Sequence, residues 1–278
     1  MISLYYTKIN IKLQISIIFT YFVDVLYFLV AYKYKLFLNK FCYNRKITNK
    51  TRQFMKLINK KHLIFDLDGT LIDSVPDLAI SLNNTMVDLN RDIFCLDMIR
   101  SWVGNGSDTL IKRALSGDVI IDENLSEELF NKAHKIFLEQ YRLNICEQTI
   151  LFDGVKNSLK ILKNKGYTLS IVTNKPIVFV KPILDSFGIK ELFTLYIGGD
   201  SLEVKKPNPK PLLYVCEKLG FHIEESVMIG DSKNDIIAAS NCSMQSIAVS
   251  YGYNYDEDIS VHNPSIIIDN FEEILEIL

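Results

Sequence analysis

Two aspartates separated by a single residue, Asp66 and Asp68, close a short apolar run, Leu63-Ile64-Phe65. The run has the pattern of a buried parallel strand. On a strand, residues i and i+2 point to the same side, with Cα atoms roughly 6.6 Å apart. Two like charges converging at a strand end repel, and a purely structural strand would not hold them there without a cation. Gly69 follows and permits a sharp turn, and Thr70 adds a hydroxyl beside it. A divalent metal and an anionic substrate meeting at a strand tip would account for all four residue types. An isolated Asp-x-Asp-Gly is also an ordinary acidic turn, so the weight falls on what accompanies it.

Three further groups follow in the chain, each after a predicted strand. Thr173-Asn174 offers a hydroxyl and a backbone N–H that can hold phosphate oxygens without adding negative charge, although such a pair is also common turn chemistry. Lys205-Lys206-Pro207-Asn208-Pro209 supplies two cations before a proline-initiated helix, with Lys205 and Lys206 as competitors for a role at the acidic site. In Gly230-Asp231-Ser232-Lys233-Asn234-Asp235, Asp231 sits at a strand tip, and Asp235, four residues on across a helix start, returns to the same side. Acidic residues favour helix N-termini in any case. The order and placement of all four groups is what argues for one site, because ligands of doubly wound sheets lie beyond the carboxyl ends of the strands. Asp66, Asp68, Asp231 and Asp235 against one of the two lysines leave a site of charge −3 that a phosphate dianion could not enter. Hard oxygen ligands of this kind recruit Mg²⁺.

The elements that must position these residues alternate. After the first strand, helical spacing runs through 76–89, 96–103, 107–115 and 126–141, with no strand pattern until Ile150. From Asp153 onward the pattern is helix 154–165 with Gly166 as its cap, strand 167–172, helix 176–187, strand 193–197, helix 207–219 and strand 226–229. A helix through Ser240, strands at 246–249 and 265–268 and a last helix complete it. Such alternation predicts an α/β fold, a doubly wound parallel sheet with right-handed crossovers.

The run Asp66-Leu67-Asp68-Gly69-Thr70-Leu71-Ile72-Asp73-Ser74 resembles the nucleophile motif of the haloacid dehalogenase-like hydrolases, and Lys206-Pro207-Asn208-Pro209 resembles their lysine motif. The resemblance implies a Rossmann-like core, residues 55–75 and 150–278, interrupted by a small all-helical cap at 76–149. It makes Asp66 the nucleophile, Asp68 the general acid/base and Lys206 the lysine facing the nucleophile. Metal coordination would come from the Asp66 carboxylate, the Asp68 backbone carbonyl and the Asp231 carboxylate, with Asp235 acting through water or by orienting Lys206. Thr173 and Asn174 would bind phosphate. Gly104-Asn105-Gly106 reads either as a plain turn between helices or as a cap loop whose N–H groups meet the substrate's non-phosphate end. The implied reaction is phosphomonoester hydrolysis through an aspartyl phosphate. A carboxylate at position 68 argues against dehalogenation. Trp102 to Gly106, Gly198-Gly199-Asp200, the lysine motif, the 230–236 run and Tyr251-Gly252-Tyr253-Asn254 look like bacterial phosphoglycolate phosphatases. A pyrophosphatase, a phosphomutase or a phosphatase for another small metabolite stays open beside that reading, as does a membrane-tethered scaffold without chemistry.

Composition bounds the rest. A chain of 278 residues with 48% hydrophobic content can bury a sizeable core, and a net charge of −2 provides no basic field for nucleic acid. Five scattered cysteines without a C-x-x-C, and four histidines, argue against zinc or a disulfide framework. Charge is uneven: residues 1–54 carry nine Lys or Arg against one Asp. Residues 13–32 form an apolar stretch long enough to span a bilayer. Its aliphatic and Phe side chains favour insertion by about 4–7 kcal/mol, and Asp24 opposes it by about 2.5–3.5. Two readings stand: a membrane anchor with the catalytic part on the cytoplasmic side, or a dispensable leader ahead of a cytoplasmic enzyme starting at Met55.

Overall fold

The computed structural model describes residues 57–255 and 257–278. The stretch 13–32 therefore lies outside the described residues. Among the described residues, no helix is long and apolar enough to cross a membrane.

The chain enters through β1 (His62–Phe65), doubles back into β2 (Ile72–Asp73), and passes through four helices, α1 (Val75–Asp88), α2 (Leu96–Trp102), α3 (Ser107–Ser116) and α4 (Glu127–Asn144). It returns at β3 (Ile150–Leu151), then alternates: α5 (Val155–Asn164), β4 (Thr168–Val172), α6 (Ile177–Ser186), β5 (Phe193–Ile197), α7 (Lys210–Leu219), β6 (Ser226–Gly230), α8 (Lys233–Ser240), β7 (Gln245–Val249), β8 (Ile266–Ile268) and α9 (Ile274–Ile277). Six strands form one sheet in the order β5-β4-β1-β6-β7-β8, every pairing parallel. The order reverses direction on either side of β1, the kind of switch point where such sheets bind ligands.

β1 is buried on both faces, as the continuous apolar run requires. Ile64 packs with Met228, Val172 and the α7 residues Leu212 and Val215 on one side. Phe65, pointing the opposite way, meets Phe193 and Phe271 on the other. The pair β2–β3 is a separate antiparallel ribbon through which the chain leaves the sheet for the four helices and comes back. Buried Asp77, on the first turn of α1, ties that return shut by accepting from the N–H groups of Gln148 (2.8 Å) and Thr149 (2.9 Å).

Three local expectations change. The ribbon is not visible in the sequence, since two-residue strands carry no alternation. The helix expected from 207 starts at Lys210: Asn208 Oδ1 accepts the Lys210 N–H (2.9 Å) and Pro209 is its N-cap, so 207–209 is a turn. Gly166 lies one residue past the cap of α5, Lys165, and takes the left-handed conformation (φ +92°) there.

Candidate active site

Asp66 and Asp231 follow β1 and β6 directly, and these strands are paired in register at Phe65 and Ile229. Their side chains therefore stand together at one sheet end. Asp235, on the first turn of α8, completes a buried triad in which carboxylate oxygens lie within 4.8 Å of one another. Each partner is held from behind. Asp231 accepts from Thr70 Oγ1 (2.8 Å) and from the Tyr253 N–H (2.8 Å). Asp235 Oδ2 accepts from the Ser232 N–H (3.0 Å) and Oγ (2.9 Å), a capping box that also starts α8. Gly69 makes the turn at φ +85°, and a Cβ there would lie 2.3 Å from Asp231 Oδ2, so only glycine fits.

One lysine serves this cluster. Lys206 is buried, with Nζ 2.6 Å from Asp235 Oδ1 and 3.0 Å from Asp66 Oδ1. The contact to Asp66 falls outside hydrogen-bond geometry and leaves Oδ1 of that residue without a hydrogen bond. Three carboxylates against one ammonium are under-compensated. Burial, opposed by Lys206 and reinforced by Asp235, pushes Asp66 up to about 7. Burial, then Asp235 and Asp66, raises Asp231 well above the carboxylate range. Two carboxylates held above their ordinary range mark a cluster short of positive charge, and a hard divalent cation is what its oxygen donors suit.

Asp68 faces a different way. Its Oδ1 accepts from Ser74 Oγ (2.5 Å) and from Lys175 Nζ (2.8 Å), so its carboxylate is not part of the triad. Lys175 is buried and lies over the ring of Tyr141 from α4, 4.7 Å from its centroid. Burial alone would lower its pKa, yet Asp68 and Tyr141 outweigh it and hold it raised. Asp66, Asp68, Thr173, Asn174 and Lys175 from the sheet, with Gly104 and Gly106 from the helical insert, line one cleft. Thr173 Oγ1 accepts the Lys175 N–H (3.2 Å), which leaves its own proton to donate.

Asn174 acts across the cleft. Its side-chain Nδ2 donates to the carbonyls of Gly104 (3.1 Å) and Lys206 (3.0 Å). The 104–106 loop is held again by Asn234, whose Nδ2 reaches Gly104 O (3.2 Å) and Asn105 Oδ1 (2.7 Å). The Asn105 side chain is thus engaged with Asn234 and Tyr255, and it is Gly104 and Gly106 that border the cleft. Of the two competing lysines, Lys206 meets Asp66, and Lys205 borders a separate groove with Asp108, Glu203 and Asn208.

Lys175, Tyr141 and Asn234 were not among the expected site residues. Lys175 stood directly after Thr173-Asn174, but adjacency does not reveal which way a side chain turns. Tyr141 reads as one more apolar position on an amphipathic helix. Asn234 lies inside the aspartate motif between its two acidic positions.

Residues 63–249 match the family model described as haloacid dehalogenase-like hydrolase. A Colwellia psychrerythraea protein named phosphoglycolate phosphatase is 51% identical over 221 residues, covering 80% of this chain and 98% of its own. One of the same name from Psychrobacter arcticus is 46% identical over 80% of this chain and 96% of its own. The crystal structure of a predicted phosphoglycolate phosphatase from Haemophilus somnus superposes with a TM-score of 0.74 at 39% identity, covering 80% of this chain and 99% of that one. With its motifs gathered at one sheet end and relatives of this similarity, the chain belongs to the haloacid dehalogenase-like hydrolase family.

Proposed function

We propose that the chain is a Mg²⁺-dependent phosphomonoesterase and that its substrate is 2-phosphoglycolate. The observation that carries the chemistry is the buried triad Asp66, Asp231 and Asp235 with Lys206 against it, of which Asp66 lines a cleft together with Asp68. The substrate assignment is supported by the relatives named phosphoglycolate phosphatase. The Asp66 and Asp231 carboxylates and the Asp68 carbonyl would hold Mg²⁺, which when bound supplies the positive charge that admits the phosphate and offsets charge on its oxygens.

Asp66 attacks phosphorus in line and becomes an aspartyl phosphate. Asp68 protonates the departing alkoxide, then takes a proton from the water that hydrolyses the acyl phosphate. Lys206 and the Thr173 hydroxyl stabilise charge on the transferring oxygens. Asp235 orients Lys206 through their 2.6 Å contact. Residues 76–149 act as the cap, with the 104–106 loop closing over the leaving group.

The test is inorganic phosphate release by the full chain with Mg²⁺ from 2-phosphoglycolate, sugar phosphates and pyrophosphate. Turnover of 2-phosphoglycolate at kcat/KM at least tenfold above the other substrates is expected. Equal rates across the panel would remove the substrate assignment and leave the phosphatase; no release from any ester would remove both.

A further inference from the structure

The cleft has two unlike ends. The triad end is charged; the far walls, from Leu78, Val103, Leu110, Phe137 and Phe179, are apolar. Among the described residues lining it, Lys175 alone is cationic. Its side chain is 3% exposed. An ammonium has three donors, and Asp68 takes one. Beside it the Tyr141 hydroxyl borders the same cleft, fully buried, with Lys175 as a polar neighbour and no acceptor for its own proton. Buried donors left over in a cleft mark the place of an acceptor that arrives with the ligand.

We propose that Lys175, assisted by the Tyr141 hydroxyl, binds a carboxylate on the leaving group, so that the site selects phosphomonoesters bearing a carboxylate next to the ester carbon. This rests on the reading of Asp66 as phosphoryl acceptor and Asp68 as acid. A phosphate docked on Asp66 brings its ester oxygen to Asp68. In a glycolate leaving group the carboxylate carbon is two bonds from that oxygen, and Lys175, whose ammonium is 2.8 Å from Asp68 Oδ1, is a cation beside that position. The apolar walls offer a longer or polyhydroxylated leaving group nothing in return. A site with buried donors discriminates strongly against an analogue lacking the matching acceptor, because the donors are then left desolvated.

The test compares 2-phosphoglycolate with 2-hydroxyethyl phosphate, which has the same length and an uncharged end, in steady-state kinetics of the full chain with Mg²⁺. The unsubstituted protein should prefer the carboxylate substrate by about 100-fold or more in kcat/KM. Lys175→Met should cut that preference to about tenfold or less, chiefly through KM for 2-phosphoglycolate, with Lys175→Arg retaining more of it than Met. Tyr141→Phe, which keeps the ring and removes only the hydroxyl, should cost about three- to tenfold of the preference. Should the Met variant not fold, the Phe variant decides, together with inhibition of the unsubstituted protein by glycolate, expected at least about tenfold stronger than by ethylene glycol. Equal loss on both esters would mean that Lys175 acts through Asp68 alone, and would overturn the proposal. So would an intact preference in the variants, or glycolate and ethylene glycol inhibiting alike. Turnover of both esters without preference defeats the carboxylate site while sparing the phosphatase; turnover of neither defeats the underlying reading as well.

Discussion

The two ends of β1 carry buried polar clusters four residues apart, and they are built on opposite terms. At the entry end His62 is fully buried, with Nδ1 3.1 Å from Ser226 Oγ, Nε2 2.8 Å from Ser170 Oγ, and its ring stacked on Phe221 at 4.9 Å. Both ring nitrogens are partnered by neutral hydroxyls, and burial pushes the imidazole down to about 4, so it is uncharged at neutral pH. At the exit end Asp66 joins two more carboxylates around one lysine, and burial pushes it up, not down. The first cluster is satisfied and closed. The second is short of positive charge and opens on a cleft. Burying polar groups costs little when every hydrogen bond is made, and much when charge is left over. A surplus kept in spite of that cost is what separates a binding site from a polar patch of core.

The largest test of this contrast is Asp66→Asn. It removes the proposed nucleophile, so turnover should fall by at least about 10³-fold, while the metal-free protein at pH 7 and above should become more stable. The sign follows from the raised pKa: between the ordinary carboxylate value and about 7 the folded state holds more protons than the unfolded one, so its stability falls as pH rises. Phosphate release and urea unfolding in a chelator measure the two effects. A variant with undiminished turnover would end the nucleophile assignment.

At the other end of β1 the slope reverses. With His62 held near 4 against an unfolded value of 6.5, acidification from 6.5 towards 4 protonates the unfolded chain first and drains stability. The loss reaches at most about 3 kcal/mol and levels off below 4. His62→Gln should flatten that part of the curve, read as the difference between variant and unsubstituted protein in urea unfolding at each pH. Identical pH curves for the two would show that His62 is not buried neutral.

Slightly smaller is the metal linkage. Mg²⁺ at about 100 times its dissociation constant should stabilise the folded protein by roughly 2.7 kcal/mol. Asp231→Asn, which takes a carboxylate from the triad, should abolish most of that increment. If thermal unfolding of the variant shifts with Mg²⁺ as much as the parent does, the triad is not the cation site.

The exit cluster was largely legible in the sequence because its parts follow strand ends. Asp66, Asp231 and Asp235 are fixed by β1, β6 and the first turn of α8, and regular elements place the first atoms of a side chain reliably. Lys206 was legible through its motif, though only the structure turns it to Asp66 and Lys205 away. Lys175 was not, since a long side chain leaving a turn reaches in any direction and only the fold brings Tyr141 beneath it. The β2–β3 ribbon was hidden for another reason. Its two-residue strands exist because Gly69 reverses the chain, Gly69 N donating to Ile72 O (2.8 Å), and Leu71 O accepts from Phe152 N (3.1 Å), which are long-range and turn effects without period. The entry cluster left no trace either: His62, Ser170 and Ser226 are far apart in the chain, and nothing in their local sequence says that β1, β4 and β6 will align them.

That alignment sets up the smallest prediction. Ser170→Ala deletes the partner of His62 Nε2 and leaves a buried ring nitrogen unpaired, which costs about 1–3 kcal/mol. Ser170 stands at the middle of β4, the strand that leads into Thr173, yet the perturbation is confined to hydroxyl, ring and Phe221. Turnover and Mg²⁺ affinity should therefore stay within about twofold of the parent while urea unfolding shifts to lower concentration. A loss of turnover matching the loss of stability would show that the two ends of β1 are coupled, and that the closed cluster helps set the open one.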